Sequence, residues 1–292
     1  MSLKADFKPK ARVSRRDFLK LLPLVGLGVF FGGYVGQWEP DWVEITQVAL
    51  KLPRLPKAFS GFRLAQVSDI HLGGWMKLEH LNQVFALIAE QKPDLVALTG
   101  DFVLDPMRDP EIRLDLVAYG DSLQALTARF PALAVLGNHD YWFNAPKVLE
   151  LLKQSGVRTL VNSVQAVQFG ADSIWFGGVD DVSEGEDDLE RVLAQLPAEG
   201  CAILLAHEPD FADQSAATGR FDLQISGHSH GGQVNLPWLG PPVLPHLAHK
   251  YPAGIYRVGK MYQYTNRGVG MTPPYVRFNC RPEITVFTLE SA

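Results

Sequence analysis

The chain is poor in cysteine, with only Cys201 and Cys280 among its 292 residues. That scarcity excludes a disulfide-stapled scaffold and an all-thiolate zinc site. It also lacks any surplus of positive charge: 27 Lys and Arg stand against 32 Asp and Glu, a formal net charge of −5. The first twenty residues alone carry +5, which leaves −10 on the remainder. A nucleic-acid partner, which needs a basic face, is excluded on that ground. No internal repeat and no heptad seam occurs, so solenoids and coiled coils drop out as well. What is there is 47% apolar and 20% charged. That is the balance of a globular chain rather than a disordered or multi-span membrane protein, and it is long enough to bury a full core.

The amino terminus reads as a targeting segment rather than as part of the fold. Basic residues lead into Ser14-Arg15-Arg16-Asp17-Phe18-Leu19-Lys20, followed by sixteen residues without charge, Leu21 to Gly36. Paired arginines ahead of a mildly apolar run resemble a twin-arginine export signal. As helix, sixteen residues span about 24 Å against a hydrocarbon core of ~30 Å; Phe18 and Leu19 extend the run if Lys20 snorkels. No small-x-small cleavage site follows, and the aromatics from Tyr34 to Trp42 suit the headgroup level. The expectation is that residues 1–42 form an uncleaved export signal and anchor. Residues 43–292 would then be a single domain at the outer face of the cytoplasmic membrane or in the periplasm.

Beyond Val43, short apolar runs alternate with helical patterns. Strands are expected at Phe62–Ser68, Leu95–Thr99, Ala132–Leu136, Ser173–Val179, Cys201–Ala206, Phe221–Ser226 and Ile284–Leu289. Leu78, Leu81, Val84, Phe85 and Ile88 form one helical stripe, and Ile112, Leu116, Tyr119, Leu123 and Leu126 another. Strands apolar on both faces imply burial on both sides, hence a layered α/β sandwich. The acidic run Asp180–Asp188 and the proline-rich stretch Pro237–Pro245 read as surface loops, and Cys201 as a buried thiol.

The expected strands end in residues that carry chemistry, which is where α/β folds place their sites. After Phe62–Ser68 comes Asp69-Ile70-His71, whose first and third side chains share a face in extended chain. The next two strands are followed by Gly100-Asp101 and by Gly137-Asn138-His139-Asp140. His207 follows Cys201–Ala206, and Gly227-His228-Ser229-His230-Gly231-Gly232 follows Phe221–Ser226. A Gly-Asp pair or a lone strand-end histidine means little by itself. Five such segments in order, each after an apolar strand, point to a metal site.

In these motifs the chain resembles the calcineurin-like metallophosphoesterases, from Phe62 to Leu289. Thr265–Gly270 and Phe278–Ile284 are similar to the membrane-associated, twin-arginine-exported bacterial branch of that family. The resemblance implies a four-layer αββα sandwich with two mixed β-sheets. It implies one metal on Asp69, His71, Asp101 and His230, and a second on Asp101, Asn138, His207 and His228, with Asp101 bridging. Oxygen and nitrogen donors without thiolate suit Mn²⁺ first, or Fe or Zn²⁺, and disfavour Ca²⁺ and Cu(I). Two divalent ions against two carboxylates leave a cationic site, whose complement is a phosphate ester, attacked by a metal-bridging hydroxide.

The resemblance also gives His139 a catalytic rather than a ligating role, with Asp140 beside it as a possible orienting carboxylate. Phosphatase branches orient this histidine with an acidic residue three positions beyond the bridging aspartate; here that position is Leu104, and Asp105 lies one further. Arg267, in a glycine-flanked loop, reads either as a substrate contact or as a surface arginine. His80, His246 and His249 match no ligand position, and Trp75 suits packing better than a lipid wall. The implied activity is a phosphodiesterase acting on an envelope or lipid-linked ester. A UDP-diacylglucosamine pyrophosphate hydrolase and a non-catalytic metal-binding scaffold are the alternatives.

Overall fold

The structure, a computed structural model, describes Gly28, Phe30, residues 32–106 and residues 114–292. The twin-arginine motif, most of the uncharged run and Ile112 lie outside the described residues.

Alternation along the strands decides the layering. In β3 (Leu95–Thr99) every residue is buried, with Val96 and Leu98 on one face and Leu95 and Ala97 on the other. A strand with two apolar faces needs a layer on each side. In chain order the remaining strands are β1 (Glu44–Leu52), β2 (Phe62–Val67), β4 (Ala132–Val135), β5 (Arg158–Thr159), β6 (Ser163–Phe169) and β7 (Asp172–Gly178). They continue with β8 (Ala202–Leu205), β9 (Leu223–Ser226), β10 (Gly254–Val258), β11 (Met261–Thr265) and β12 (Glu283–Ser291). One six-stranded sheet runs β1-β12-β2-β3-β4-β5 and the other β10-β11-β9-β8-β7-β6. Both are mixed: β12 is antiparallel to β2 in the first, and β6–β7 and β10–β11 are antiparallel in the second.

Three buried clusters separate four layers. Between the sheets, Leu64, Leu95, Leu133 and Phe287 meet Phe176, Ile203, Leu205 and Ile225. On the outer face of the first sheet, Val67, Val96, Leu98 and Val286 pack against helices Leu78–Glu90, Leu116–Thr127 and Ala145–Gln154. Outside the second sheet, Ala202, Leu204 and Met261 pack against Val192, Phe211 and Ala212. The architecture is therefore the αββα sandwich with two mixed sheets.

All seven expected strands are present within a few residues. The unexpected ones, β1, β5, β6, β10 and β11, lie at or next to sheet edges, where one face meets solvent and the apolar signal thins. The acidic run is only partly a surface loop: Ser183 to Glu186 are exposed, but Asp180 and Asp181 are buried. Both cysteines are free and buried. At the amino-terminal end a helical turn, Glu39–Asp41, docks on the domain: the Cys280 amide donates to the buried Glu39 carboxylate at 2.6 Å. No helix among the described residues is long and apolar enough to cross a membrane.

The inter-sheet layer is the part of the core most sensitive to volume. Phe176, wholly buried there, is expected on truncation to alanine to lose about 3–5 kcal/mol of stability. The measurement is a lowered urea midpoint with an unchanged m-value.

Candidate metal centre

Strands β2, β3 and β4 run parallel in one sheet, and β8 and β9 in the other, so their carboxyl ends gather along one edge of the sandwich. Two hydrogen bonds lock that edge across the sheets. Gln66 Nε2 of β2 donates to the Ser226 carbonyl of β9 at 2.9 Å, and His207 Nδ1 lies 2.6 Å from the Thr99 carbonyl of β3.

The turns leaving the strands are strained. Asp69, His71, Asp101, His228 and His230 all have positive φ, between 47° and 67°. Non-glycine residues pay about 1–3 kcal/mol each for such conformations, which persist only where the surroundings over-determine them. Here the surroundings do. The Asp69 amide donates to the Gly100 carbonyl and the His71 amide to the Asp101 carbonyl, each at 3.0 Å. The Asp69 carboxylate accepts the His228 amide at 3.0 Å, and Asp101 Oδ1 accepts that of His139 at 2.9 Å. Gly137 permits a close approach: a Cβ there would stand 2.7 Å from the Asp101 amide and 2.8 Å from the His207 ring.

These constraints bring the ligand candidates together. Asp69, His71, Asp101 and His230 present donor atoms all within 4.8 Å of one another, and so do Asp101, His207 and His228. Asn138 Oδ1 lies 3.0 Å from His228 Nδ1, which places the amide at the second group. Within the clusters, His71 Nε2 is 3.0 Å from His230 Nε2, and Asp101 Oδ2 is 3.4 Å from His71 Nε2 and 3.2 Å from His207 Nε2. Donors bound at about 2.1 Å to a four- to six-coordinate ion sit roughly 3.0–3.4 Å apart. The separations fit a divalent ion in each group.

Proton placement points the same way. The Thr99 carbonyl takes the Nδ1 proton of His207, so Nε2 is the nitrogen turned toward Asp101. Although burial opposes it, Asp101 holds that imidazole well above its ordinary value, with a proton standing where a cation would bind. The His246 carbonyl, at 2.8 Å, takes the Nε2 proton of His228, so its Nδ1 faces the cluster as an acceptor. Such outer partners fix the tautomer of ligating histidines. Burial, reinforced by neighbouring imidazoles, pushes the His71 imidazole down to about 3 and that of His230 well below its ordinary value. Neutral imidazole is the form that binds metal.

His139 stands apart from the ligand clusters. Its Nδ1 lies 2.7 Å from Oδ2 of the buried Asp105, and its ring is edge-on to His71 and tilted against Trp142. The carboxylate that orients His139 is therefore Asp105, four positions beyond Asp101 rather than three. Asp140 does something else: its carboxylate accepts the amides of Asp101, Phe102, Val103 and Gly137 at 2.8–3.3 Å, binding two ligand turns into one unit. Asp69 and His71 are fully enclosed, whereas His139, His228 and His230 keep 6–7% of their surface. Solvent reaches the clusters from that side.

Arg267 requires a correction. Its guanidinium is held by Glu283 at 3.0 Å and Glu44 at 2.9 Å, so it serves an ion-pair network rather than standing open as a substrate contact. Trp75 stacks on His80, and the His249 amide is bound by Asp210; neither histidine belongs to the cluster. Sequence reading missed Arg277. Fully buried, it donates to the carbonyls of Arg267, Gly268, Gly270 and Cys280 at 2.7–3.1 Å. It thereby holds Gly270 where a Cβ would stand 2.7 Å from the Asp69 carbonyl. No local signal marks an arginine whose partners are carbonyls. Glu208 was also missed; it follows His207 and anchors the Val182–Ser183 backbone.

A family profile described as calcineurin-like phosphoesterase matches residues 62–232. The chain is 37% identical over 287 residues to an uncharacterized metallophosphoesterase of Bacillus subtilis, YkuE, covering 96% of this chain and 99% of that one. It is 32% identical over 288 residues to phosphodiesterase YaeI of Escherichia coli, covering 95% and 99%. A transmembrane protein with metallophosphoesterase domain from Danio rerio is 30% identical over 292 residues, covering 95% of this chain and 63% of that protein.

The Asp105–His139 contact yields a direct expectation. Asp105→Asn, which keeps size and removes charge, should lower kcat by about 10–100-fold. Bound metal, read by elemental analysis, should stay unchanged; wild-type kcat in the variant would detach Asp105 from the chemistry.

Proposed function

Because the chain belongs to the calcineurin-like phosphoesterase family and is a metal-dependent phosphoric ester hydrolase, we propose that it is a phosphodiesterase of the cell envelope. Its substrate would be a lipid-linked or other envelope phosphate diester, and residues 1–42 would export it by the twin-arginine route and hold it at the outer face of the cytoplasmic membrane. The observation that carries the catalytic part is the pair of donor clusters sharing Asp101. The name of the Escherichia coli relative supports the diesterase preference, and that of the Danio rerio relative supports membrane attachment. The paired arginines and the uncharged run support export and tethering. That placement disfavours the pyrophosphate hydrolase alternative, whose substrate arises on the cytoplasmic side.

In this reading Asp69, His71, Asp101 and His230 would hold one divalent ion, Mn²⁺ by preference, and Asp101, Asn138, His207 and His228 the other. When bound, such ions supply Lewis acidity toward phosphoryl oxygen and a nucleophile at neutral pH. The protein's own part is the rest. Asp69 and Asp101 bring only two negative charges, and Asn138 contributes a neutral oxygen, so the site stays positive enough to attract a phosphate ester. The Asp105 carboxylate accepts the Nδ1 proton of His139. A second proton, carried on Nε2 of the cationic ring, would pass to the leaving oxygen and leave neutral imidazole with its remaining proton on Nδ1. The tilted contact of Trp142 with His139 restrains the ring in that orientation. Because His139 is complete and positioned, a non-catalytic scaffold finds no support.

Bis-p-nitrophenyl phosphate and p-nitrophenyl phosphate, with Mn²⁺, Fe²⁺ or Zn²⁺ supplied in turn, separate diesterase from monoesterase activity. The expected result is faster release from the diester. His139→Ala should reduce turnover by roughly 10²–10⁴ with its metal content retained. No release from either ester with any ion, or full turnover by the variant, would contradict the reading.

A further inference from the structure

The loop between the last metal motif and β10 has no part in the chemistry above, yet it is built on that motif. From Leu223 to His249 the chain contains no Asp, Glu, Lys or Arg. The excursion leaves at Gly232, where Pro241 and the Val243 carbonyl lie so close that a Cβ has no room. It returns at His246, whose carbonyl holds His228 at 2.8 Å. Both ends are thus fixed to candidate ligand turns.

Its tip is apolar and fully in water. Leu236 and Gly240 exchange backbone hydrogen bonds at 3.0 and 2.9 Å, closing a tight turn that displays Trp238 and Leu239. Trp238 is 102% exposed, Leu239 83% and Val243 74%. Pro237, Pro241, Pro242 and Pro245 stiffen the loop, so presenting these side chains to a partner loses little conformational entropy. Clustered exposed apolar groups of this kind mark an interaction site.

The occupant follows from what lies beside the loop. The Asn235 amide donates to the Phe278 carbonyl and the Phe278 amide to the Gln233 carbonyl, at 2.8 and 2.9 Å. One residue earlier, the Arg277 amide donates to the Val35 carbonyl at 2.8 Å. The loop and the end of the uncharged amino-terminal run are therefore attached to neighbouring residues of one segment. Phe30 and Trp38 are also more than half exposed there. Two uncharged, aromatic-bearing elements far apart in the sequence flank the same backbone, and Trp is the side chain that favours the bilayer interface.

We propose that the loop from Val234 to Pro245 docks into a lipid bilayer through Trp238, Leu239 and Val243, seating the mouth of the metal centre on the membrane surface. A phosphate ester carried by a lipid headgroup then reaches the His139–His230 side without leaving the bilayer. This rests on the lipid-linked reading of the substrate given above, and extends it with a contact made by the catalytic domain itself.

The test uses the full chain reconstituted in phosphatidylcholine–phosphatidylglycerol vesicles, with and without brominated acyl chains. The emission of Trp238 is taken as wild type minus Trp238→Phe. Docking requires that difference emission to be quenched at least twofold by the brominated lipid. If it is unquenched, whether open to iodide or shielded from it by a protein contact, the proposal is overturned. A second arm compares soluble bis-p-nitrophenyl phosphate with phosphatidyl-p-nitrophenol in the vesicles. The double variant Trp238→Ser/Leu239→Ser should lose at least tenfold on the lipid ester and stay within twofold on the soluble one. An equal effect on both, or none on either, contradicts docking. Absence of wild-type activity on both esters would instead defeat the phosphodiesterase reading, leaving the quenching result to decide docking by itself.

Discussion

Imidazole nitrogens and carboxylates repel one another when packed dry, unless protons or cations lie between them. Here His71, His207, His228 and His230 converge on Asp69 and Asp101 with donor atoms about one hydrogen bond apart. A single shared proton satisfies one pair at most, and it leaves the other lone pairs facing like neighbours in a low-dielectric interior. A divalent ion in each cluster resolves every one of these conflicts together. The rest of the molecule is arranged to keep the donors converged against their own repulsion.

That arrangement has layers. The two sheets bring five strand ends to one edge, and strained turns aim five of the ligand candidates inward. Behind them, groups that touch no substrate hold the turns. Asp140 gathers four amides from two ligand loops. Burial, with Asp101 nearby, pushes its carboxyl up to about 7, which is a measure of how far it has been withdrawn from water for this purpose. Arg277 does the converse with four carbonyls, and the Arg267–Glu283–Glu44 network ties the same segment to β1 and β12. Distortion at the centre is therefore borne by hydrogen bonds one shell out, where each partner is cheap to satisfy with backbone.

Much of this was legible in the sequence because the informative residues are local. Strands buried on both faces are continuous apolar runs, and the turns after them carry His, Asp and Asn in fixed short spacings; both signals survive without any knowledge of the fold. Edge strands such as β6 and β10 were not legible, since one face in water dilutes the pattern. Spacing left the role of Asp105 open, since it lies one position beyond the expected one; the extra residue in the turn after β3 still lets its carboxylate reach His139. Asp140 was given the wrong task because adjacency to His139 in sequence is not contact in space. Arg267 looked available for an anion until Glu44, distant by more than two hundred positions, appeared beside it. Long-range pairing of this kind leaves no trace in a local reading.

The account stands or falls on metal stoichiometry. Elemental analysis of the purified full chain, after incubation with excess divalent salt and removal of unbound ions, should return two ions per molecule for the wild type. His71→Ala and His207→Ala should each return about one, because each removes a donor from a different cluster. Fewer than two ions on the wild type, or a stoichiometry indifferent to both substitutions, would contradict a centre built on the two groups that Asp101 joins.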